Sequence, residues 1–399
     1  MNRYVPKAGA AMTLIIALTA GCSAKVEEAE TQAVVSEPSS TAPQSVQSEA
    51  VEAAPAAATT APDVVGGIDW SSLPSTDVTL SAGGITISEA GTYVLTGTTT
   101  GQVLVETDGN VRLVLDGVTI DSDSGAAIQV NDAEVTVIEV AEGTTNTVSD
   151  ASSRDDTEVD GTIYSADDLV ITGSGTLTVT GNYADGIVGK DDLWIDTASV
   201  SVTSVDDGIR GTDSLNIEGG DITIESVGDG LKSTNSTDAG LGALNISGGT
   251  ITVTSGDDAL KAEQSIWISG GTINVVKAVE GIEAPVIVID DGDISINASD
   301  DGVNASASDL VTTGLSITVN GGNLTIVMGQ GDTDAIDSNG DLTVNGGTIT
   351  ITAQSAFDYD GVGTYNGGTL IVNGEQVDEL AQMMMGGGGM GGPGSGPRG

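Results

Sequence analysis

The chain has no histidine, one cysteine and one phenylalanine, and only 11 Lys and Arg against 58 Asp and Glu. Without histidine, a Ser–His–Asp or Cys–His catalytic arrangement and every His-ligated metal site are excluded. A formal net charge of −47 removes any general affinity for nucleic acid, whose phosphates require basic surface. It also disfavours adsorption to anionic lipid. Aromatics make up 3% of the residues, which by itself would fit disorder. The body, however, is rich in Val, Ile and Thr in strict alternation, and that is strand composition. What the chain has in excess is hard oxygen, which suits calcium. A chain this acidic repels itself unless cations neutralise it.

The ends differ from the body. Arg3 and Lys7 precede an apolar run from Met12 to Leu18, the pattern of a secretory signal. The run is too short to span a bilayer stably. It leads into Thr19-Ala20-Gly21-Cys22, which resembles a bacterial lipobox, with Thr19 where an aliphatic residue is usual. Residues 1–21 are therefore expected to be a lipoprotein signal peptide, with Cys22 the lipidation site and membrane anchor. The alternative is an ordinary signal peptide with an incidental cysteine. Ser23, rather than Asp, after Cys22 favours the outer membrane or cell surface over retention in an inner membrane. Residues 22–66, rich in Ala, Ser, Thr, Glu, Gln and Pro, read as a disordered linker. Residues 378–399 read as a disordered Gly/Met tail.

Between the ends one pattern recurs. Residues 242–261 hold a short alternating strand, the turn Gly248-Gly249, a second alternating strand, an Asp-rich turn and a third apolar beat. The glycine pair returns at Gly219-Gly220, Gly270-Gly271, Gly321-Gly322, Gly346-Gly347 and Gly367-Gly368, as turns needing positive φ require. The third beat is an acid, then Gly or Ala, then an aliphatic residue. Its acids are Asp185, Asp207, Asp229, Asp258, Glu280, Asp301, Asp334 and Asp360, at steps of 22, 22, 29, 22, 21, 33 and 26. Three strands per repeat of about 22 residues predict an all-β, single-domain right-handed parallel β-helix over residues 67–377. Its core should contain Ile246, Ile251, Val253 and Leu260, with Thr252 and Thr254 facing out.

Strands stacked ~4.8 Å apart would bring the recurrent acids into a ladder. Bare carboxylates at that spacing repel by roughly 1 kcal/mol in water and by more near a protein surface. Ca2+ is therefore expected between Asp206, Asp207 and Asp229, between Asp257, Asp258 and Glu280, and at Asp300 and Asp301. The alternative is a row of solubilising turn aspartates. Beside them Arg210, Lys232 and Lys261 share one position in three successive repeats, followed there by Glu283 and Asn304. This basic stripe either receives the carboxylates of a polyuronate or merely neutralises the aspartates. Trp194 and Trp267 lie between aliphatics, so alternation points both outward as platforms for a sugar ring. Packing beneath a loop is the alternative.

The segments Gly91 to Gly97 and Leu113 to Val118, with turns such as Asp206-Asp207-Gly208-Ile209-Arg210, resemble the bacterial carbohydrate-binding β-helix family over residues 77–377. The resemblance implies bound calcium, a fold related to pectate lyases, and binding of acidic sugars and cellulose. It directs the functional expectation toward a non-catalytic polysaccharide-binding lipoprotein, exported and monomeric. A lyase, in which calcium acidifies the proton beside a uronate carboxyl and Arg or Lys removes it, is the rival. A purely structural surface adhesin is a third reading. A catalytic constellation should occur once, and the Asp pairs recur.

Overall fold

Alternation of apolar and polar residues governs the architecture. The computed structural model describes residues 60–329 and 333–382, all within the compact unit Ala50–Gly399. Among them the only helical elements are a short α-helix, Ala61–Gly66, and a 3-10 turn, Trp70–Ser72. The all-β class is as expected. No helix among the described residues is long and apolar enough to cross a membrane.

Through the regular repeats each strand pairs in parallel with the third strand after it, giving three ladders. The first contains Ser214–Ile217, Ala243–Ile246, Ser265–Ile268 and Val286–Ile289. The second contains Asp221–Ser226, Thr250–Thr254, Thr272–Ala278 and Asp293–Ala298. These two ladders share a 24-stranded sheet, and the third forms a 12-stranded sheet running through Ile209–Gly211, Leu231–Ser233 and Leu260–Ala262. Residues 77–165, less regular in sequence, enter the same sheets. The last strand, Glu375–Val377, turns back antiparallel onto Thr369–Val372.

The inward residues Ile246, Ile251, Val253 and Leu260 are at most 1% exposed and belong to one continuous core. Each such side chain contributes ~1.5–3 kcal/mol of apolar burial. The turn glycines are required where they stand. Gly249 has φ +86°, and a Cβ there would lie 2.9 Å from backbone atoms of Gly219. In the third beat the cause is close packing instead. A Cβ on Gly208 would meet the Gly230 carbonyl and Ile224 at 2.5 Å.

Three features fall differently from expectation. A short helix, Ala61–Gly66, lies within residues expected as linker, and Leu380, 8% exposed, packs within residues expected as tail. Asp360 does not continue the acid series. Asp334 pairs with Ser355, Ile336 with Phe357, and Asp360 follows the end of that strand, leaving Val362 64% exposed. Cys22, the signal peptide, residues 22–59 of the linker and residues 383–399 of the tail lie outside the described residues.

Candidate functional site

In the third ladder alternation sends Ile209, Leu231, Leu260 and Ile282 into the core and the next residue of each strand outward. The register aligns Arg210, Lys232, Lys261, Glu283, Asn304, Asp337 and Asp358 in one column. The expected stripe of three cations is therefore real as an alignment, but its cations are already engaged. Arg210 bonds Asp185 at 2.6 Å and also Asp160. Lys232 bridges Asp229 at 2.7 Å and Asp207 at 3.1 Å. Lys261 bonds Asp258 at 2.6 Å and also Glu283.

Burial pulls the Lys232 ammonium toward neutrality, but Asp229 and Asp207 outweigh it and hold its pKa above the ordinary lysine value. The same balance of burial against Asp258 and Glu283 raises Lys261. Arg210 is likewise raised: burial opposes the charge, and Asp185 and Asp160 prevail. Side chains so firmly protonated are poor proton acceptors.

The acids beneath the column have a structural task. Asp185 accepts the Asp207 N–H at 3.1 Å, Asp207 accepts that of Asp229 at 2.9 Å, and Asp229 that of Asp258 at 2.9 Å. Asp301 accepts the Asp334 N–H at 3.0 Å in the same way. Each carboxylate thus caps the backbone of the following repeat. Their carboxylates also gather into trios whose oxygens lie within 4.8 Å of one another: Asp185 with Asp206 and Asp207, Asp229 with Asp257 and Asp258, and Asp258 with Glu280 and Glu283. Of the expected groupings, Asp258 does gather with Glu280, whereas Asp206 and Asp207 gather with Asp185 of the preceding repeat and Asp257 joins Asp258 and Asp229. Among the described residues no such trio includes Asp300 or Asp301. A further trio, Asp168, Asp191 and Asp192, escaped the sequence reading because those acids precede a different beat of the repeat.

These groups carry more negative charge than the cations remove. Burial pushes Asp185 up to about 6, with Arg210 opposing and Asp207 adding to it. Glu280 is pushed up to about 7 by burial and by Glu283. At the column's end Asp337 rises to about 7 through burial and then through Asp301, Asp358, Asp334 and Asp360. Two carboxylates 4.8 Å apart repel by ~3 kcal/mol at an effective dielectric of ~20. Hard oxygens converging around excess negative charge, one exposed and two buried in each of the Asp206 and Asp257 trios, could hold a metal ion.

The two tryptophans part company. Their register, Trp194 to Asn216 to Asn245 to Trp267, sets them three strands apart on the outward side of the first ladder. Trp194 is nevertheless only 2% exposed, packed with Ala61, Val135, Val137 and Val170 beneath the segment carrying Val64, Val65, Ile68 and Trp70. It is not an exposed platform: the end of the expected linker, with Ile68 and Trp70 just beyond it, covers it. Trp267 stays half-buried, its Nε1–H donating to Asp290 at 2.7 Å. It borders a cavity of about 270 Å³ lined also by Thr60, Asn216, Glu218, Asn245, Ser247 and Ser269.

Parallel ladders in a nearly all-β chain, one of them carrying a row of buried acids matched to cations, define the class. The chain belongs to the carbohydrate-binding domain-containing protein family, whose model matches residues 81–333 and 277–380. A protein of Acetivibrio thermocellus with that description is 36% identical over 126 residues, 30% of this chain and 44% of that protein. The chain therefore spans less than half the length of this relative. It is also similar to a solved structure described as the polysaccharide lyase-like protein from C. thermocellum, gadolinium derivative. The identity there is 32%, coverage 54% of this chain and 88% of the other, and the TM-score 0.47.

Proposed function

We propose that this protein is an exported, non-catalytic polysaccharide binder that holds acidic, polygalacturonate-like chains through calcium. Membership of a carbohydrate-binding family supports the ligand class. The observation that carries the mode of binding is that Arg210, Lys232 and Lys261 are each already bonded to two carboxylates. A polyuronate laid on this column would find few unengaged positive charges. Calcium held by Asp185, Asp206 and Asp207, by Asp229, Asp257 and Asp258, or by Asp258, Glu280 and Glu283 would neutralise the protein's acids and share its remaining valences with uronate carboxylates.

The lyase alternative needs a basic side chain able to accept a proton beside the metal. The raised pKa values of Lys232, Lys261 and Arg210 argue against that role. The three-ladder pairing supports a right-handed parallel β-helix with three strands per turn. The reading is completed by a lipid anchor on Cys22, which would hold a monomer at the outer membrane or cell surface.

The test is incubation with polygalacturonate and calcium, read at the ultraviolet absorbance of unsaturated uronates. Polymer retained with flat absorbance is expected. Rising absorbance would make the protein a lyase and refute the binder.

A further inference from the structure

Traced backward from Leu73, the N-terminal segment advances along the outward side of the first ladder. Ile68 and Leu73 share a cavity with Asn110 and Val135. Three strand steps further on, the Ala61 N–H donates to Glu218 at 3.0 Å. Thr60, one residue earlier, lines the cavity of about 270 Å³ bordered by Asn216, Asn245, Ser247, Trp267 and Ser269. Asn216, Asn245 and Trp267 occupy one register position on three successive strands. The cavity therefore prolongs the same path, and the chain is heading into it at Thr60.

The two tryptophans show what such a path covers. Trp194 is 2% exposed because Ala61 and the residues after it pack over its indole. Trp267, at the same register position three strands on, is left half-buried. The residues just before Thr60 are Ala53-Ala54-Pro55-Ala56-Ala57-Ala58-Thr59, all uncharged and small. Extended chain advances ~3.3 Å per residue, and two strand steps from Asn216 to Trp267 span ~9.6 Å. About three residues thus bring Ala57 level with the indole.

The polar groups on the wall suit a backbone. Asn245 donates to the Asn216 carbonyl at 2.9 Å, which leaves its own Oδ1 without a partner among the described residues. The Ser247 and Ser269 hydroxyls have no side-chain hydrogen bond among the described residues. An extended segment offers N–H and C=O groups in turn, donors for the amide oxygen and acceptors for the serines. Alanine methyls meanwhile bury apolar surface against the indole. We propose that residues 53–59 of this chain dock in the cavity, extending onto Trp267 the strap that already covers Trp194. The chain then leaves the body beyond Trp267 rather than at Thr60. The inference stands independently of the polysaccharide-binding reading.

Fluorine NMR of the full chain labelled with 5-fluorotryptophan tests it. The three tryptophans give three signals, and Trp267→Phe identifies the one that belongs to Trp267. In the wild type that signal should not respond to exchange of H2O for D2O. The double substitution Ala56→Asp, Ala57→Asp, which would bury charge in the cavity, should shift it and make it solvent-responsive. The Trp70 and Trp194 signals should stay in place, which reports that the body remains folded. A solvent-responsive Trp267 in the wild type, or a signal unmoved by the double substitution, would overturn the proposal. Protection lost on dilution would assign the cavity to a second copy of the chain, and protection gained only on adding cellotetraose would assign it to a sugar. Either result would overturn self-docking.

Discussion

Lys232 shows most simply how single residues hold this protein together. It sits between Asp207 and Asp229, both largely buried, and its own side chain is 24% exposed. Removing one partner of such a group leaves the other charges uncompensated. Lys232→Met should therefore cost about 2 kcal/mol, less than a fully buried pair because solvent still reaches the ammonium. Urea denaturation measures it, and added calcium should recover part of the loss. Asp337, raised to about 7 by burial and by the acids around it, predicts an unusual pH dependence. A carboxyl whose pKa is higher folded than unfolded keeps its proton in the folded chain between the two values. Its stabilising effect is complete below the unfolded pKa and is lost as pH rises through the folded value. In chelator the protein should accordingly melt higher at pH 5 than at pH 8, and Asp337→Asn should flatten the difference. A melting temperature that climbs over this interval in both proteins would contradict the assignment.

At the scale of the element, the repeat is governed by backbone constraint. Gly249, at φ +86° with no room for a Cβ, should not tolerate alanine. Gly249→Ala is expected to lower stability by ~1–2 kcal/mol. Gly83, which has open space around its Cα, should accept alanine at under ~0.5 kcal/mol. Thermal melts of the two variants make the comparison. These elements were legible in the sequence because alternation and turn glycines are local signals. Ile251 and Val253 face in and Thr252 faces out whatever happens in distant repeats. The pairing of acids was less legible, because it depends on whether a side chain reaches toward the preceding or the following strand. Periodicity places Asp206, Asp207 and Asp229 in neighbouring repeats but does not state that Asp206 and Asp207 close on Asp185. The cover over Trp194 was hidden for a different reason. Residues 60–66 look like more of the Ala- and Pro-rich linker, and only docking against Val135, Val137 and Val170 gives Val64 and Val65, with Ile68 beyond them, an apolar surface to bury. Asp360 misled because it repeats the acid–Gly–aliphatic motif just beyond the strand to which the motif should belong.

For the whole molecule the decisive quantity is charge. With 58 acids against 11 cations, the eight ion pairs among the described residues leave most carboxylates without a cationic partner. Self-repulsion on that scale favours expansion, and bound divalent cations would oppose it. Chelation should thus lower the melting temperature, and calcium at a hundredfold excess over its dissociation constant should restore ~3 kcal/mol per site. Magnesium, which surrenders water reluctantly, should restore less. An unchanged melt in excess EDTA would remove calcium from the account.

The most direct measurement is retention of residues 60–382 on polygalacturonate gel in calcium and in EDTA, beside the double variant Asp206→Asn, Asp257→Asn. These two acids are the exposed members of their trios, so their loss should spare the fold. Retention in calcium, release in EDTA and weak retention of the double variant are predicted. Equal retention under all three conditions would contradict the central claim that calcium joins this acidic protein to an acidic polymer.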